Sequence, residues 1–244
     1  MNDEFYIGYL DACPPATLRW VRRAVLWAAV CCLGAVVLAA WRQTPADPGI
    51  FEFGQVREFE GTIMEAPFPI LHVDLKESGV TNYVLVGEGK HAAPTWFAGR
   101  HGHQVTFRGT LIQKDKLAMI EVAGKDGLKD SGEVSSKSSF VPHWGGIELR
   151  GELVDTKCYF GVMRPAVGKV HRACAVRCLS GGVPPGLLIR DGSGNAVVAL
   201  LTGEDGLPLS FDPQWAARNV RVRGELELRD NLPLIHVSQM VLAD

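Results

Sequence analysis

The sequence lacks an excess of charge of either sign, and it lacks most of the short motifs that identify enzymes. Its 244 residues carry a formal net charge of −2, which argues against a nucleic-acid-binding protein, because such proteins are usually basic. No C-x-x-C or C-x-x-C-H occurs, so neither a thioredoxin-like redox motif nor c-type haem attachment is indicated. Walker-type, G-x-S-x-G and H-E-x-x-H motifs are also missing. The six cysteines are too few for a disulfide-dense scaffold, so their positions matter more than their number.

One long apolar run near the N-terminus predicts a single membrane span. Residues 24–41 contain no charged side chain and would extend about 27 Å as a helix, close to the roughly 30 Å of a bilayer core. Three arginines lie within residues 19–23 and only Arg42 follows closely, so the positive-inside rule places the N-terminus in the cytoplasm. The run is longer than a signal-peptide core and no A-x-A pattern closes it, which favours an uncleaved anchor. We therefore expect a single-pass protein of the bacterial inner membrane, with the bulk of the chain in the periplasm.

The part of the chain after the apolar run contains an internal repeat. Four motifs recur in the same order, and the longest pairs residues 105–122 (VTFRGTLIQKDKLAMIEV) with residues 220–237 (VRVRGELELRDNLPLIHV). Each copy is typical of about five short β-strands, with hairpin turns at residues 114–116 and 229–231. A small, bent, five-stranded barrel of this kind resembles the OB-fold. The predicted fold class is therefore mainly β, with one N-terminal transmembrane helix followed by two tandem OB-like small β-barrels.

The composition also predicts where these parts begin and end. A cytoplasmic tail at 1–23 precedes the transmembrane helix at 24–41, and a proline-containing linker at 42–52 follows it. The first OB-like module covers 53–123 and the second covers 147–244. Between them, residues 124–146 are rich in serine, lysine and glycine, which predicts a flexible linker.

The second repeat carries an insertion that the first repeat does not have. Gly151 and Leu200 are 49 positions apart, whereas their counterparts Gly61 and Val84 are 23 positions apart. The inserted region, residues 156–186, holds all three cysteines that follow the apolar run. A segment that is found in one repeat only and contains these three thiols is the strongest functional signal in the sequence.

Four side chains of this insertion form a potential metal site: Cys158, His171, Cys174 and Cys178. Good helix formers run from 169 to 179 and are followed by glycines and then by two prolines, which are helix-stop signals. On such a helix His171, Cys174 and Cys178 share one face, and Cys158, which is expected to end a strand, can fold over them. Thiolate and imidazole ligands suit zinc, copper or an iron–sulfur centre.

Two other interpretations of these cysteines stay open from the sequence. A bridge from Cys158 to Cys174 or Cys178 would be a structural disulfide, worth about 3 kcal/mol by chain entropy, in a protein-interaction scaffold. In the other interpretation the cysteines carry out thiol chemistry, and the protein is a thiol oxidoreductase. One disulfide leaves one thiol over, and that thiol then needs burial, a metal, a cofactor or a partner.

The cysteine region resembles a motif of small exported bacterial proteins of undefined function, which pair it with a barrel-like β-domain. The resemblance covers about residues 147–237 and follows the pattern C-Y, then H-x-x-C-A-x-x-C, then G-G-x-P-P-G. Its specific positions are Cys158, Tyr159, His171, Cys174, Cys178, Gly182, Pro184 and Gly186. The resemblance implies no activity, but it implies that the cysteine cluster is one unit.

These observations together predict an accessory or binding protein rather than a complete enzyme. The single anchor, the tandem barrels and the missing catalytic set favour a subunit or assembly factor of a membrane redox complex. Its expected partners are the membrane and other membrane or periplasmic proteins, and no nucleic acid.

Overall fold

The computed structural model describes residues 13–42, 49–74, 80–134, 143–193 and 195–243. The chain divides into two compact units, Met1–Ala46 and Asp47–Asp244. The described part of the first unit is helix α1 (Pro15–Arg42), on which no side chain is buried. Its 28 residues extend about 42 Å at 1.5 Å per residue, so the helix is long and apolar enough to cross a membrane. It begins before the predicted span at 24–41 and ends one residue after it.

The second unit contains two closed barrels of five strands each, as the repeat predicted. In the first barrel the hydrogen-bonded order is β2-β3-β4-β6-β5 and back to β2, and only the β4–β6 pair is parallel. Two short strands, β1 and β7, pair with β5 outside this closed path. The strands are β1 (Ile50–Phe51), β2 (Arg57–Met64), β3 (Ile70–Asp74), β4 (Val80–Val86), β5 (His103–Lys114), β6 (Leu117–Val122) and β7 (Lys129–Glu133).

The second barrel repeats this order strand for strand, as β8-β9-β10-β12-β11 and back to β8. Its parallel pair is β10–β12, in which Leu200 lies opposite Leu234 just as Val84 lies opposite Met119 in the first barrel. Both barrels also have the predicted hairpins, and each turn carries an aspartate with positive φ. The strands are β8 (His143–Asp155), β9 (Pro185–Arg190), β10 (Ala196–Gly203), β11 (Asn219–Arg229) and β12 (Leu232–Leu242).

Two of the segments that were predicted as linkers contain strands. β1 lies within residues 42–52, and β7 lies within residues 124–146, where the composition predicted flexibility. Both strands are held by backbone hydrogen bonds to the long strand β5, a partner that local composition does not reveal. Residues 43–48 and 135–142 of these segments lie outside the described residues.

The two barrels share one buried apolar cluster. Side chains of β3, β4 and β6 contribute to it from the first barrel, and side chains of β9, β10 and β12 contribute from the second. Polar contacts complete the interface at the β11–β12 hairpin, where the backbone nitrogen of Asn82 donates to Asn231 Oδ1 at 2.7 Å and Asn82 Nδ2 donates to Asp230 Oδ2 at 3.0 Å. Asn82 is fully buried, so these bonds satisfy groups that water does not reach.

Candidate metal centre

The cysteine cluster lies on the chain segment that connects β8 to β9. In the first barrel the corresponding connection, from β2 to β3, takes only residues 65–69, whereas here it takes residues 156–184. The sequence predicted that Cys158 ends a strand, and this prediction is wrong. β8 already ends at Asp155, and Cys158 begins a π-helical turn (Cys158–Val162), because the buried carboxylate of Asp155 accepts the backbone N–H of Cys158 at 2.9 Å.

The other three predicted ligands lie on helix α2 (Gly168–Ser180), which includes the predicted helical stretch. His171 and Cys178 are buried on the inner face of α2, and Cys174 is half-buried. The helix ends as the glycines predicted: Gly182 has a φ of +86°, and its N–H donates to Leu179 O at 3.1 Å. This ending fixes the last turn of α2 and therefore the position of Cys178.

The three sulfur atoms meet around Cys158. Its Sγ lies 3.9 Å from Cys174 Sγ and 3.9 Å from Cys178 Sγ. All three are free thiols in the structure. Two overlapping groups of potential ligand atoms result, each within 4.8 Å: Cys158, His171 and Cys174 in one, and Asp155, Cys158 and Cys178 in the other. Cys158 belongs to both groups and is the centre of the cluster.

Asp155 and His171 form a buried pair beside the sulfurs. His171 Nε2 lies 2.8 Å from Asp155 Oδ2, and the two residues are 3% and 0% exposed. Burial alone would raise the pKa of Asp155, but the hydrogen bonds from His171 and Cys158 hold that pKa below its ordinary value. The carboxylate is therefore ionised and faces Nε2 of the ring, and Nδ1 of His171 is the ring nitrogen that Asp155 does not contact.

A lysine of the first barrel completes the cluster. Lys90 Nζ donates to Cys174 Sγ at 2.6 Å and to Cys178 Sγ at 3.8 Å. This lysine lies in the first barrel, in the segment that follows β4. The hydrogen bond to Cys174 raises the pKa of Lys90, and the charges of the nearby sulfurs add to this effect against the opposing effect of burial. The site therefore takes its sulfur atoms from one repeat and its cation from the other.

The segment that carries Lys90 is fixed by the residue next to Cys158. Lys157 is 1% exposed, and its Nζ donates to Gly87 O and to Gly89 O at 2.7 Å each and pairs with the Glu121 carboxylate. From the other side, Ala92 N donates to Gly181 O at 2.8 Å.

The end of α2 also lies against this segment directly. Gly181 touches it so closely that a Cβ atom there would lie 1.8 Å from Lys90 O. A side chain at position 181 is therefore incompatible with the observed contact. Together with Lys157, this close approach determines where Lys90 can reach.

The surroundings of Cys158 and Cys178 shift the pKa values of these two thiols in opposite directions. The hydrogen bond with Cys178 raises the pKa of Cys158, and burial and the negative charge of Asp155 raise it further. The same hydrogen bond lowers the pKa of Cys178, and the positive charge of Lys90 adds to this effect, while burial opposes it. Cys158 therefore holds its proton more tightly than Cys178 does, and a metal ion would displace that proton on binding.

Sequence reasoning missed Asp155, Lys157 and Lys90. The first two stand three and one positions before Cys158, so their place in the string DTKC was a usable signal. Lys90 gave no such signal, because 84 residues separate it from Cys174 and only the docking of the two barrels brings them together.

Comparison with models of protein families finds no match for this sequence, and comparison with curated proteins finds none either.

Proposed function

We propose that this chain is a membrane-anchored accessory protein that binds one soft metal ion through Cys158, Cys174, Cys178 and His171. The observation that carries the proposal is the spacing of the sulfur atoms around Cys158. A tetrahedral ion with metal–sulfur bonds of about 2.3 Å holds its sulfur ligands about 3.8 Å apart. The two Sγ separations of 3.9 Å from Cys158 are close to this value. Cys174 and Cys178 stand in different groups of neighbouring ligand atoms, so their side chains would turn toward a shared ion on binding.

The spacing favours a single ion over a cluster. In a [4Fe–4S] cluster each cysteine binds a different iron, so its cysteine sulfurs lie farther apart than the ligands of one ion. A [2Fe–2S] cluster needs two separate pairs of ligands, whereas both short separations here share the sulfur of Cys158. Zinc and copper(I) both accept thiolate and imidazole ligands, and both fit sulfur atoms at this separation. The proposed occupant is therefore one zinc or copper(I) ion.

The Asp155–His171 pair supports the same assignment. Histidines that bind metals commonly donate their second ring N–H to a carboxylate, which fixes the ring and makes the ligating nitrogen more basic. Asp155 is placed for this role, since it is fully buried and lies 2.8 Å from His171 Nε2. Nδ1 would then be the ligand atom.

The finer parts of the proposal rest on the anchor and on the barrels. Three arginines before the apolar run support a periplasmic location for the barrels. The strand order of the two barrels supports an OB-like fold, which commonly serves as a binding module. Soft ligands outside the cytoplasm suit a subunit or assembly factor of a membrane redox complex, the role we propose for this protein.

Elemental analysis and thiol counting on the full-length protein in detergent test the proposal. We expect close to one equivalent of zinc or copper in the purified protein, together with protection of three thiols from alkylation until the metal is chelated. Cys158→Ser should abolish this binding, because Cys158 belongs to both groups of ligand atoms. Cys32→Ser is the matched control, since Cys32 lies exposed on α1, and it should leave the metal content unchanged.

The opposite result would identify the second candidate, a scaffold with a structural disulfide. Cys158 is 3.9 Å from two thiols and can be bridged to either by a small movement. A Cys158–Cys174 or Cys158–Cys178 disulfide in freshly purified protein, with no metal bound after supplementation, would overturn the metal assignment.

A further inference from the structure

An exposed apolar patch lies where the chain enters the second unit from the membrane anchor. It consists of Ile50, Phe53, Val56 and Met163, of which Phe53 is 81% exposed and Ile50 is 53% exposed. Isolated apolar side chains on a surface are ordinary, but a group that includes a nearly fully exposed phenylalanine is typical of a contact surface.

The two segments that carry these side chains lie against each other although they are far apart in the sequence. Arg164 donates to Gly49 O at 3.1 Å, and Gly161 lies so close to Ile50 that a Cβ atom there would be 2.8 Å from the Ile50 carbonyl carbon. The turn that carries Met163 is thereby held against β1. Phe53 is oriented by an edge-to-face contact with Phe51, with ring centroids 5.5 Å apart.

We propose that this patch rests on the phospholipid bilayer in which α1 is embedded. α1 ends at Arg42, and Ile50 follows eight residues later, so the connecting chain spans at most about 28 Å when fully extended. The connection therefore limits how far the patch can lie from the end of α1. This inference depends on α1 being a membrane anchor but not on the metal site.

The charges beside the patch suit lipid headgroups. Arg57 follows Val56 and Arg164 follows Met163 in the sequence, so each segment of the patch adjoins a guanidinium of the kind that pairs with phosphate. The Arg57 guanidinium also lies over the Phe59 ring, 5.4 Å from its centroid. Arg57 is half exposed and also pairs with Glu52 at 2.9 Å. Phenylalanine among arginines is a composition that inserts into the interface between headgroups and acyl chains.

A bilayer contact at this patch would place the cysteine cluster near the membrane. The backbone N–H of Met163 donates to Cys158 O at 3.3 Å, so the same turn provides a lipid-facing side chain and the central sulfur of the cluster. A metal ion held there would be presented to proteins embedded in the same membrane.

Photo-crosslinking in nanodiscs tests the proposal with the full-length protein. The lipids are phosphatidylcholine and phosphatidylglycerol, and p-benzoylphenylalanine replaces one residue at a time. We expect lipid adducts from position 53 and from position 163. Leu33 on α1 is the positive control for embedding of the helix, and Val170 on α2 is the matched negative control, since it is 81% exposed like Phe53.

Several outcomes would overturn the inference. Adducts from Leu33 without adducts from positions 53 and 163 would show that the patch does not touch lipid. Adducts to a second copy of the chain would assign the patch to self-association instead, and equal lipid adducts from Val170 would show that the contact is not specific. Metal content is measured on the same samples, so failure of the lipid contact and failure of the metal site are distinguished.

Discussion

The two barrels have the same strand order but differ in two connecting segments, and the cluster lies where these differences meet. The connection from the first to the second strand is short in the first barrel and carries the cysteines in the second. The segment after the third strand keeps the same bridge but differs in side chains and in the position of its positive-φ glycine, Gly89 in one barrel and Gly206 in the other. A bridge joins Val86 to Ala92 in one barrel and Thr202 to Pro208 in the other, but the position of Lys90 is taken by Gly206.

This difference shows how a repeat can acquire a site that neither copy holds alone. The sulfur atoms belong to the second barrel, whereas the cation that faces them belongs to the first. The buried polar contact between the barrels also joins one copy to the other, since Lys157 of the second barrel binds two carbonyls and a carboxylate of the first. The two barrels therefore contribute different groups to one site, although they share one fold.

The largest expected effect on stability comes from removing the Lys157 ammonium. Lys157→Met should lower the free energy of unfolding by about 3 kcal/mol, because it leaves the Glu121 carboxylate and two carbonyls without their buried cation. Chemical denaturation of the full-length protein in detergent measures the change. Lys125→Met, at an exposed position of the first barrel, should change stability by less than about 0.5 kcal/mol. Equal effects from the two variants would mean that the barrels do not depend on this contact.

The next effect should come from crowding the contact between α2 and the Lys90 segment. Gly181→Ala should cost about 2 kcal/mol of stability, because its Cβ would lie 1.8 Å from Lys90 O. The φ of −82° at Gly181 suits alanine, so the variant tests crowding and not backbone strain. Gly192→Ala is the control, because no atom lies within 4 Å of a Cβ there, and its stability should match that of the parent protein. A harmless Gly181→Ala would contradict the close approach of the barrels.

Removing the cation should weaken metal binding more than it weakens the fold. Lys90 is an exposed residue, so Lys90→Met should leave stability almost unchanged. Zinc affinity at pH 7 should fall at least tenfold, about 1.4 kcal/mol, because the thiolates lose the ammonium that favours their charged form. Competition with a chelator measures this affinity.

Two further variants separate a local effect from a general change of charge. Lys90→Arg keeps the positive charge and should restore most of the affinity. Lys169→Met removes a lysine that is exposed on the same helix as Cys174 and should have no effect. A loss of affinity in Lys169→Met as large as in Lys90→Met would refute a specific role for Lys90.

The smallest effect on stability should come from Glu227, a carboxylate whose hydrogen-bond partners, Arg229 and His236, both lie in the second barrel. Burial would raise the pKa of Glu227, but the hydrogen bonds from Arg229 and His236 outweigh burial and hold that pKa below its ordinary value. Its contribution to stability is therefore present above the pKa of the unfolded chain and is lost as the pH falls through the folded pKa.

Glu227→Gln should then destabilise the protein by about 1 kcal/mol at neutral pH and by less in acid. Unfolding curves at several pH values measure the difference between variant and parent. Glu58→Gln removes an exposed carboxylate of the first barrel that lies 3.9 Å from Lys129 Nζ, so it should have no effect at any pH. A pH-independent effect of Glu227→Gln would show that the carboxylate is not held in its charged form.

The repeat explains how much of this structure could be predicted from the sequence. Matching motifs locate both barrels and both hairpins, because alternating apolar residues and turn residues act over short distances. The spacing of His171, Cys174 and Cys178 locates one face of α2 for the same reason. Lys90 could not be found in this way, since its contact with Cys174 depends on how two separately closed barrels dock.

The buried position of Lys157 has a consequence for the order in which the protein matures. Ribosomes deliver the N-terminal part of a chain first, so every strand of the first barrel up to β6 precedes the first cysteine of the cluster. The last strand, β12, must still join β10 and β11 before the second barrel closes and can dock. The contact of Lys90 with Cys174 and Cys178 requires that docking. The completed cluster, and with it the proposed metal site, therefore forms only when synthesis of the chain is almost finished.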